Sequence, residues 1–73
     1  ILIVSGAGNN GADGIALARL LQKDYKVKLY LPFGAKSQMA KLQLIRAKSV
    51  GVKIVNKIKK AQVYIDALFG AGL

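Results

Sequence analysis

The pattern of hydrophobic and polar positions predicts alternating strands and helices. The chain opens on ILIV (residues 1–4), a continuous apolar run followed by glycine-rich sequence, which is typical of a strand buried on both faces of a parallel sheet. In residues 13–23 the apolar positions form one wide face, as expected of a helix that packs on a sheet. Further runs of apolar and β-branched residues predict strands at residues 26–31, 52–55 and 63–69.

A second helix is predicted between the second and third strands. Ser37 can cap its start, the helix runs to about Lys48, and Gly51 follows as a C-terminal glycine. The resulting order is β-α-β-α-β-β with no hairpin dipeptide, which favours a parallel sheet with right-handed crossovers. We therefore predict an α/β fold: a Rossmann-like parallel sheet with helices on both faces (three layers) and strand order 3-2-1-4.

The length of the chain and its two ends indicate part of a larger domain. A chain of 73 residues is short, and a domain of that size buries only about 60% of the surface that it exposes when unfolded. The sequence starts at Ile1 inside a strand-like run and stops in GAGL, as if within a loop. We expect residues 1–73 to be a partial domain whose N-terminal start is missing.

The composition narrows the chemistry that the chain can perform. It contains no Cys and no His, so thiol and imidazole chemistry and most zinc sites are excluded within it. The net charge of +9 can attract anions, but the lysines are spread along the sequence and only Lys57, Lys59 and Lys60 cluster. We interpret them as solubilising lysines and expect no nucleic-acid partner. No apolar run approaches the roughly 18 residues that span a bilayer, so we expect no membrane partner.

The glycine-rich stretch SGAGNNGADG (residues 5–14) resembles two nucleotide-binding motifs. A P-loop requires Lys followed by Ser or Thr after its second glycine, but Ala12 and Asp13 follow Gly11, which rejects that interpretation. The dinucleotide fingerprint G-x-G-x-x-G fits the spacing, yet it expects an acid at the end of the second strand, where the sequence is YLPF (residues 30–33). An NAD-dependent dehydrogenase domain is therefore only an alternative.

Polar side chains in this stretch point to a ligand. Asn9 and Asn10 supply amides that donate and accept hydrogen bonds, and free N–H groups at a helix start bind anions. Asp13 would repel a phosphate bound at the same helix start. Its carboxylate suits ribose hydroxyls, a cation, or an N–H group that fixes the loop, and it can also simply favour the helix dipole.

The last predicted strand carries a second group of candidate residues. Asp66 lies within an otherwise apolar run, and a buried lone carboxylate is costly unless it is paired or bound to a metal. Strand order 3-2-1-4 places it beside Asn9 and Asn10, where carboxylate, amide and carbonyl oxygens can form a site for a hard cation. The alternative is a carboxylate bonded to loop N–H groups. Gly70 and Gly72 predict a second loop that approaches the first closely.

Taken together, GAGNNGADG (residues 6–14) and DALFGAGL (residues 66–73) strongly resemble the NAD(P)HX epimerase family, the YjeF N-terminal domain. The resemblance implies that residues 1–73 are a fragment of a single YjeF N-terminal-like domain. It implies interconversion of the R and S forms of hydrated NADH and NADPH, as an isomerase of nucleotide repair. It also implies a partner dehydratase that uses ATP or ADP, fused or separate, and it allows a homodimer.

The resemblance assigns roles to individual residues. It implies a potassium ion held by Asn10 and Asp66, and a catalytic aspartate that falls after residue 73. Two residues depart from the family pattern, because Ala12 and Ala71 stand where glycine and threonine are usual. The residues implied to bind the hydrated nucleotide are Asn9, Asn10, Gly11, Ala12, Asp13, Gly70, Ala71, Gly72 and Leu73.

A non-catalytic module of the same fold, which binds RNA or serves as a scaffold, is the other alternative. The positive charge favours it, while the intact NNGADG sequence and Asp66 disfavour it, because a scaffold has no need of an ion site. We expect a cytoplasmic protein, with organellar targeting left open because the N-terminus is expected to be missing.

Overall fold

A computed structural model gives the structure of the chain. It describes residues 1–58 and 60–67, with the backbone alone for Asn10. The described elements alternate as predicted, and no described helix is long and apolar enough to cross a membrane. In chain order they are β1 (Leu2–Ser5), α1 (Asn9–Leu21), β2 (Lys28–Tyr30), α2 (Gln38–Ser49), β3 (Lys53–Val55) and β4 (Tyr64–Ala67).

The strands form one parallel sheet in the order β3-β2-β1-β4, so the predicted α/β class and strand order are confirmed. Ile3 of β1 lies beside Leu29 of β2 and Ile65 of β4, and this row of apolar residues crosses the sheet. The chain runs from β1 outward through β2 to β3, then returns to the other side of β1 as β4. The point at which the strand order reverses therefore lies between β1 and β4.

Both described helices pack on one face of the sheet. Ile3 and Leu29 share a buried core with residues of α1 and α2, and the two helices contact each other. Right-handed crossovers that proceed in one direction along a sheet place their helices on the same face. The described residues thus form two layers, and the helices expected on the second face stay a prediction. The buried apolar side chains from the helices are Ala12, Ile15, Ala18, Ala40 and Ala47.

Helix α1 begins at Asn9, so the prediction of a start at Asp13 was wrong by one turn. Gly8 has an extended backbone (φ −92°, ψ −161°) and caps the helix without a side-chain hydrogen bond. The N–H of Ala12 donates to the Gly8 carbonyl at 3.0 Å, which closes the first turn. Six of the ten residues of the glycine-rich stretch are therefore helical, and only residues 6–8 form the loop that leads into the helix.

Helix α2 has the ends that the sequence predicts. The Ala40 N–H donates to Ser37 Oγ at 3.0 Å, so Ser37 is the N-cap. Gly51 has φ +92°, the left-handed region that glycine adopts without strain. Its N–H donates to the Lys48 carbonyl (3.1 Å), and the Val52 N–H donates to the Ala47 carbonyl (3.1 Å), which is a Schellman motif.

Replacing Ser37 with alanine should destabilise the protein by about 1 kcal/mol, because one N–H group of the first turn of α2 loses its acceptor. The measurement is the free energy of unfolding in urea, for the complete protein. Ser49→Ala is the matched control: its Oγ donates to the Arg46 carbonyl at 2.7 Å at the exposed far end of the same helix, where water can replace it. Equal losses for the two variants would contradict the capping role.

Candidate functional site

The ends of β1 and β4 lie together beside the start of α1. Ser5 and Ala67 are neighbours across the sheet, and the Gly6 N–H donates to the Ala67 carbonyl at 3.1 Å. The short loop of residues 6–8 then leads directly into α1. In parallel α/β sheets, ligands bind outside the carboxyl ends of the strands at the point where strand order reverses. This region of the molecule is that point.

A second connection holds the glycine loop in place. The carbonyl of Ala7 accepts hydrogen bonds from the N–H groups of Lys36 (2.9 Å) and Ser37 (3.2 Å). The segment that precedes α2 is therefore bonded to the loop that precedes α1. Because Gly6 is also bonded to β4, the loop has backbone hydrogen-bond partners on both sides.

The start of α1 is open and free of negative charge. The first N–H groups of a helix have no partner within it, and here no side chain caps them. The first turn contains no acidic residue, and a β-carbon built on Gly8 would meet nothing within 4 Å. Among the described residues, nothing next to Gly8 obstructs the approach of a phosphate or another anion to the positive end of the helix dipole.

Two glycines place α1 against the sheet at this same point. A β-carbon at Gly11 would overlap the carbonyl oxygen of Gly6, and one at Gly14 would overlap Ser5 Oγ and lie 2.6 Å from Ala67 Cβ. Side chains at either position would force the helix outward. The dinucleotide fingerprint uses its third glycine for the same close packing of helix and strand.

Asn9 and Asp13 share one exposed face of α1. Residues four positions apart in a helix are neighbours on its surface, and both of these are exposed. An amide and a carboxylate thus lie side by side next to the open Gly8. Together they can donate to and accept from a pair of hydroxyl groups. Their contact with a nucleotide stays a prediction.

Ala12 belongs to the core, not to the exposed face. It is 1% exposed and packs with the buried residues of the sheet and helices. It lies within α1, and no described residue other than glycine has a positive φ. Alanine at this position is therefore free of backbone strain. Since its methyl group points into the core, any contact between Ala12 and a ligand would come from backbone atoms.

Asp66 is exposed, so the expectation of a buried carboxylate was wrong. It lies in β4, which pairs only with β1 among the described strands and so forms an edge of the sheet. Alternation along the strand puts Ile65 and Ala67 toward α1 and Asp66 on the opposite face, beside Val4. The carboxylate borders a hollow of about 280 Å³ that Ile58 also lines.

The predicted ion site is only partly described. Asp66 is one residue from the carboxyl end of β4, and Asn10 is the second residue of α1, which begins just beyond β1. Within residues 1–58 and 60–67, no group of three or more His, Cys, Asp or Glu comes together. A cation here would thus depend on amide and carbonyl oxygens besides one carboxylate, and shared coordination by Asn10 and Asp66 stays a prediction.

The second predicted loop lies outside the described residues. Gly70, Ala71, Gly72 and Leu73 follow β4 directly in the sequence, so their contacts with a ligand stay predictions. The expected cluster of lysines is exposed where it is described, at Lys57 and Lys60.

One residue of this region, Ser5, was not identified as a candidate from the sequence. Ser5 is 0% exposed, and its Oγ has no hydrogen-bond partner among the described residues. Alternation along β1 was the signal that could have found it, because residues two apart in a strand share a face. Ser5 lies two residues after Ile3 and therefore on the face of the sheet that α1 covers.

This arrangement defines an α/β domain with a glycine loop at the reversal point of a parallel sheet. The family model described as "YjeF-related protein N-terminus" matches residues 1–73, and the chain belongs to that family. A solved crystal structure of the yeast protein ynu0 has the same fold, with a TM-score of 0.82 and 24% identity. The match covers 96% of this chain and 34% of the yeast chain.

Curated relatives are similar along the whole chain. The NAD(P)H-hydrate epimerase of Weissella koreensis is 48% identical over 80 residues, which cover 100% of this chain and 36% of the relative. The enzyme of the same name from Oenococcus oeni is 44% identical, with 100% and 38% covered. The bifunctional NAD(P)H-hydrate repair enzyme Nnr of Helicobacter pylori is 38% identical, with 97% and 17% covered. The chain thus spans little more than a third of the first two relatives.

Proposed function

We propose that the complete protein is an NAD(P)H-hydrate epimerase, which interconverts the R and S forms of hydrated NADH and NADPH. The observation that carries this proposal is similarity over the whole chain to proteins of that name, at up to 48% identity. The local geometry supports it, because an open helix start lies at the reversal point of the sheet, where nucleotides bind in folds of this kind.

In this proposal the described residues bind and orient the substrate. The free N–H groups at the start of α1 attract the diphosphate of the nucleotide. Asn9 and Asp13, exposed on the same face of the helix, hydrogen-bond to ribose hydroxyls. The backbone bonds from Gly6 and Ala7 keep the loop in one conformation, so little ordering is required when the nucleotide binds.

A potassium ion is part of the proposal. Asn10 and Asp66 would hold it with amide and carboxylate oxygens, the ligands that hard cations prefer. The ion would supply a fixed positive charge beside the anionic substrate. Residues 70–73 would complete the nucleotide site, and the residue that moves the proton is proposed to lie after residue 73. A dehydratase that uses ATP or ADP, fused or separate, would remove the water from the hydrated nucleotide; the name of the Helicobacter pylori relative, a bifunctional repair enzyme, supports this partnership.

Incubating the complete protein with purified R or S hydrate of NADH tests the proposal. We expect the two forms to reach equilibrium much faster than without protein, and faster in potassium than in lithium chloride of the same ionic strength. Chromatographic separation of the two forms measures the rate. No acceleration in either salt, together with tight binding of unhydrated NAD, would favour a dehydrogenase domain instead. No acceleration with steeply salt-dependent RNA binding would favour the scaffold.

A further inference from the structure

Three small residues from three elements meet beneath the start of α1. Gly14 of α1 faces Ser5 at the end of β1 and Ala67 at the end of β4. A β-carbon on Gly14 would overlap Ser5 Oγ and would lie 2.6 Å from Ala67 Cβ, well inside van der Waals contact. The approach of the helix to these two strands therefore leaves no room for a side chain at position 14.

The contact with Ser5 is steric. Ser5 is 0% exposed, and within residues 1–58 and 60–67 its hydroxyl makes no hydrogen bond, although buried polar groups nearly always have a partner. The oxygen instead occupies the space that a β-carbon on Gly14 would need. An unpartnered hydroxyl contributes no hydrogen-bond energy, so what Ser5 contributes at this point is the volume of its side chain.

The contact of Gly14 with Ser5 and Ala67 lies between the start of α1 and the end of β4, which together form the candidate site. Gly14 follows Asp13 directly and is one turn from Asn10, while Ala67 directly follows Asp66. Moving α1 away from Ala67 would therefore also move Asn10, at the start of the helix, away from Asp66. The spacing of Asn10 and Asp66 therefore depends on how closely Gly14 approaches Ser5 and Ala67.

We propose that Gly14, through its contact with Ser5 and Ala67, is a positioning residue that fixes the distance between the start of α1 and the end of β4. The contact itself is a property of the fold, while its effect on ion and substrate binding rests on the proposed function. Added volume at Gly14 should weaken binding of potassium and hydrated nucleotide more than it slows the chemical step, because the reacting groups lie elsewhere.

Gly14→Ala in the complete protein is the first test. We expect the potassium concentration for half-maximal activity and the KM for hydrated NADH to rise roughly tenfold or more, with kcat changed less, since displacements of about 1 Å have effects of this order. Helix propensity cannot explain a loss, because alanine is a better helix former than glycine. A lower melting temperature with unchanged potassium and KM values would show a merely structural role and overturn the proposal.

A rescue experiment tests whether the contact with Ser5 and Ala67 causes the effect of Gly14→Ala. Ser5→Ala and Ala67→Gly remove the two groups that the new methyl group would meet. When both are added to Gly14→Ala, the potassium affinity and the KM should return most of the way to the values of the parent protein. The double variant Ser5→Ala, Ala67→Gly without Gly14→Ala is the matched control. If the triple variant is no better than Gly14→Ala, the contact is not the cause. Ala67→Val adds volume from the strand side and should reproduce the same pattern if Gly14→Ala does not fold.

Crystal structures separate this inference from the proposed function. The distance between the Cα atoms of residues 10 and 66 should be longer in Gly14→Ala, or in Ala67→Val, than in the parent and should return in the triple variant. An unchanged distance overturns the positioning role whatever the protein catalyses. If the distance changes as expected but the parent protein does not interconvert the hydrates, the proposed function fails and the positioning contact stands.

Discussion

Replacing Gly11 with alanine is expected to destabilise the protein by about 3 kcal/mol, at the upper end of what overpacking costs, and to abolish binding at the start of α1. A β-carbon at this position overlaps the carbonyl oxygen of Gly6. That atom belongs to the backbone, so no side-chain rotation relieves the overlap. Gly6 is itself bonded to Ala67 of β4, so it cannot move without breaking the hydrogen bond between the loop and β4.

The free energy of unfolding in urea measures this effect. Gly8→Ala is the matched control, because it makes the same change three residues earlier, where a β-carbon meets nothing within 4 Å. We expect the control to lose no more than about 1 kcal/mol, from the weaker cap that alanine provides. Only the free energies of unfolding of the two variants are compared, and not their ligand binding, because Gly8 borders the candidate site. Similar losses for the two variants would contradict the role of close packing at Gly11.

The sheet could be predicted from the sequence because its signals are local or topological. The run ILIV has no polar face, which is typical of a central parallel strand, and β1 has neighbours on both sides. Helical segments between the first three strands leave few connections that obey the rule of right-handed crossovers. Capping at Ser37 and termination at Gly51 follow from the chemistry of single residues, and both are confirmed.

The start of α1 could not be predicted, because tertiary packing decides it. Asn9, Asn10 and Gly11 are poor helix formers, and Gly8 caps the helix without a side chain. What makes them helical is the fit of Gly11 against Gly6 and of Ala12 within the core. Neither contact is visible until the strand and helix are in place, so propensity indicated a later start.

The exposure of Asp66 escaped prediction for a related reason. A run such as YIDA does not show whether other elements cover the face of the sheet that carries its carboxylate, and among the described residues Asp66 is exposed. Register across the sheet then decides its surroundings, placing it beside Val4 on the face away from α1. Likewise, Asn9 and Asp13 become neighbours only when both belong to one helix. The candidate residues could be named from the sequence, whereas their mutual positions required the fold.

Asp66→Asn is expected to slow epimerisation by the complete protein roughly a hundredfold, the scale of losing a well-placed electrostatic contact in an active site. The substitution keeps the size of the side chain and removes its charge. If Asp66 and Asn10 hold a potassium ion, the remaining rate should no longer respond to potassium. The free energy of unfolding of the complete protein is measured alongside, so that a loss of rate caused by impaired folding is recognised.

Asp24→Asn is the matched control for Asp66→Asn. Asp24 is also exposed and carries the same charge, but it lies in the turn after α1, at the far end of that helix from the candidate site. Both variants raise the net charge by one, so a general electrostatic effect would change their rates equally. A rate and potassium response that fall only in Asp66→Asn would locate the ion at the end of β4. Equal behaviour of the two variants would remove Asp66 from the site, leaving the start of α1 to bind the nucleotide without it.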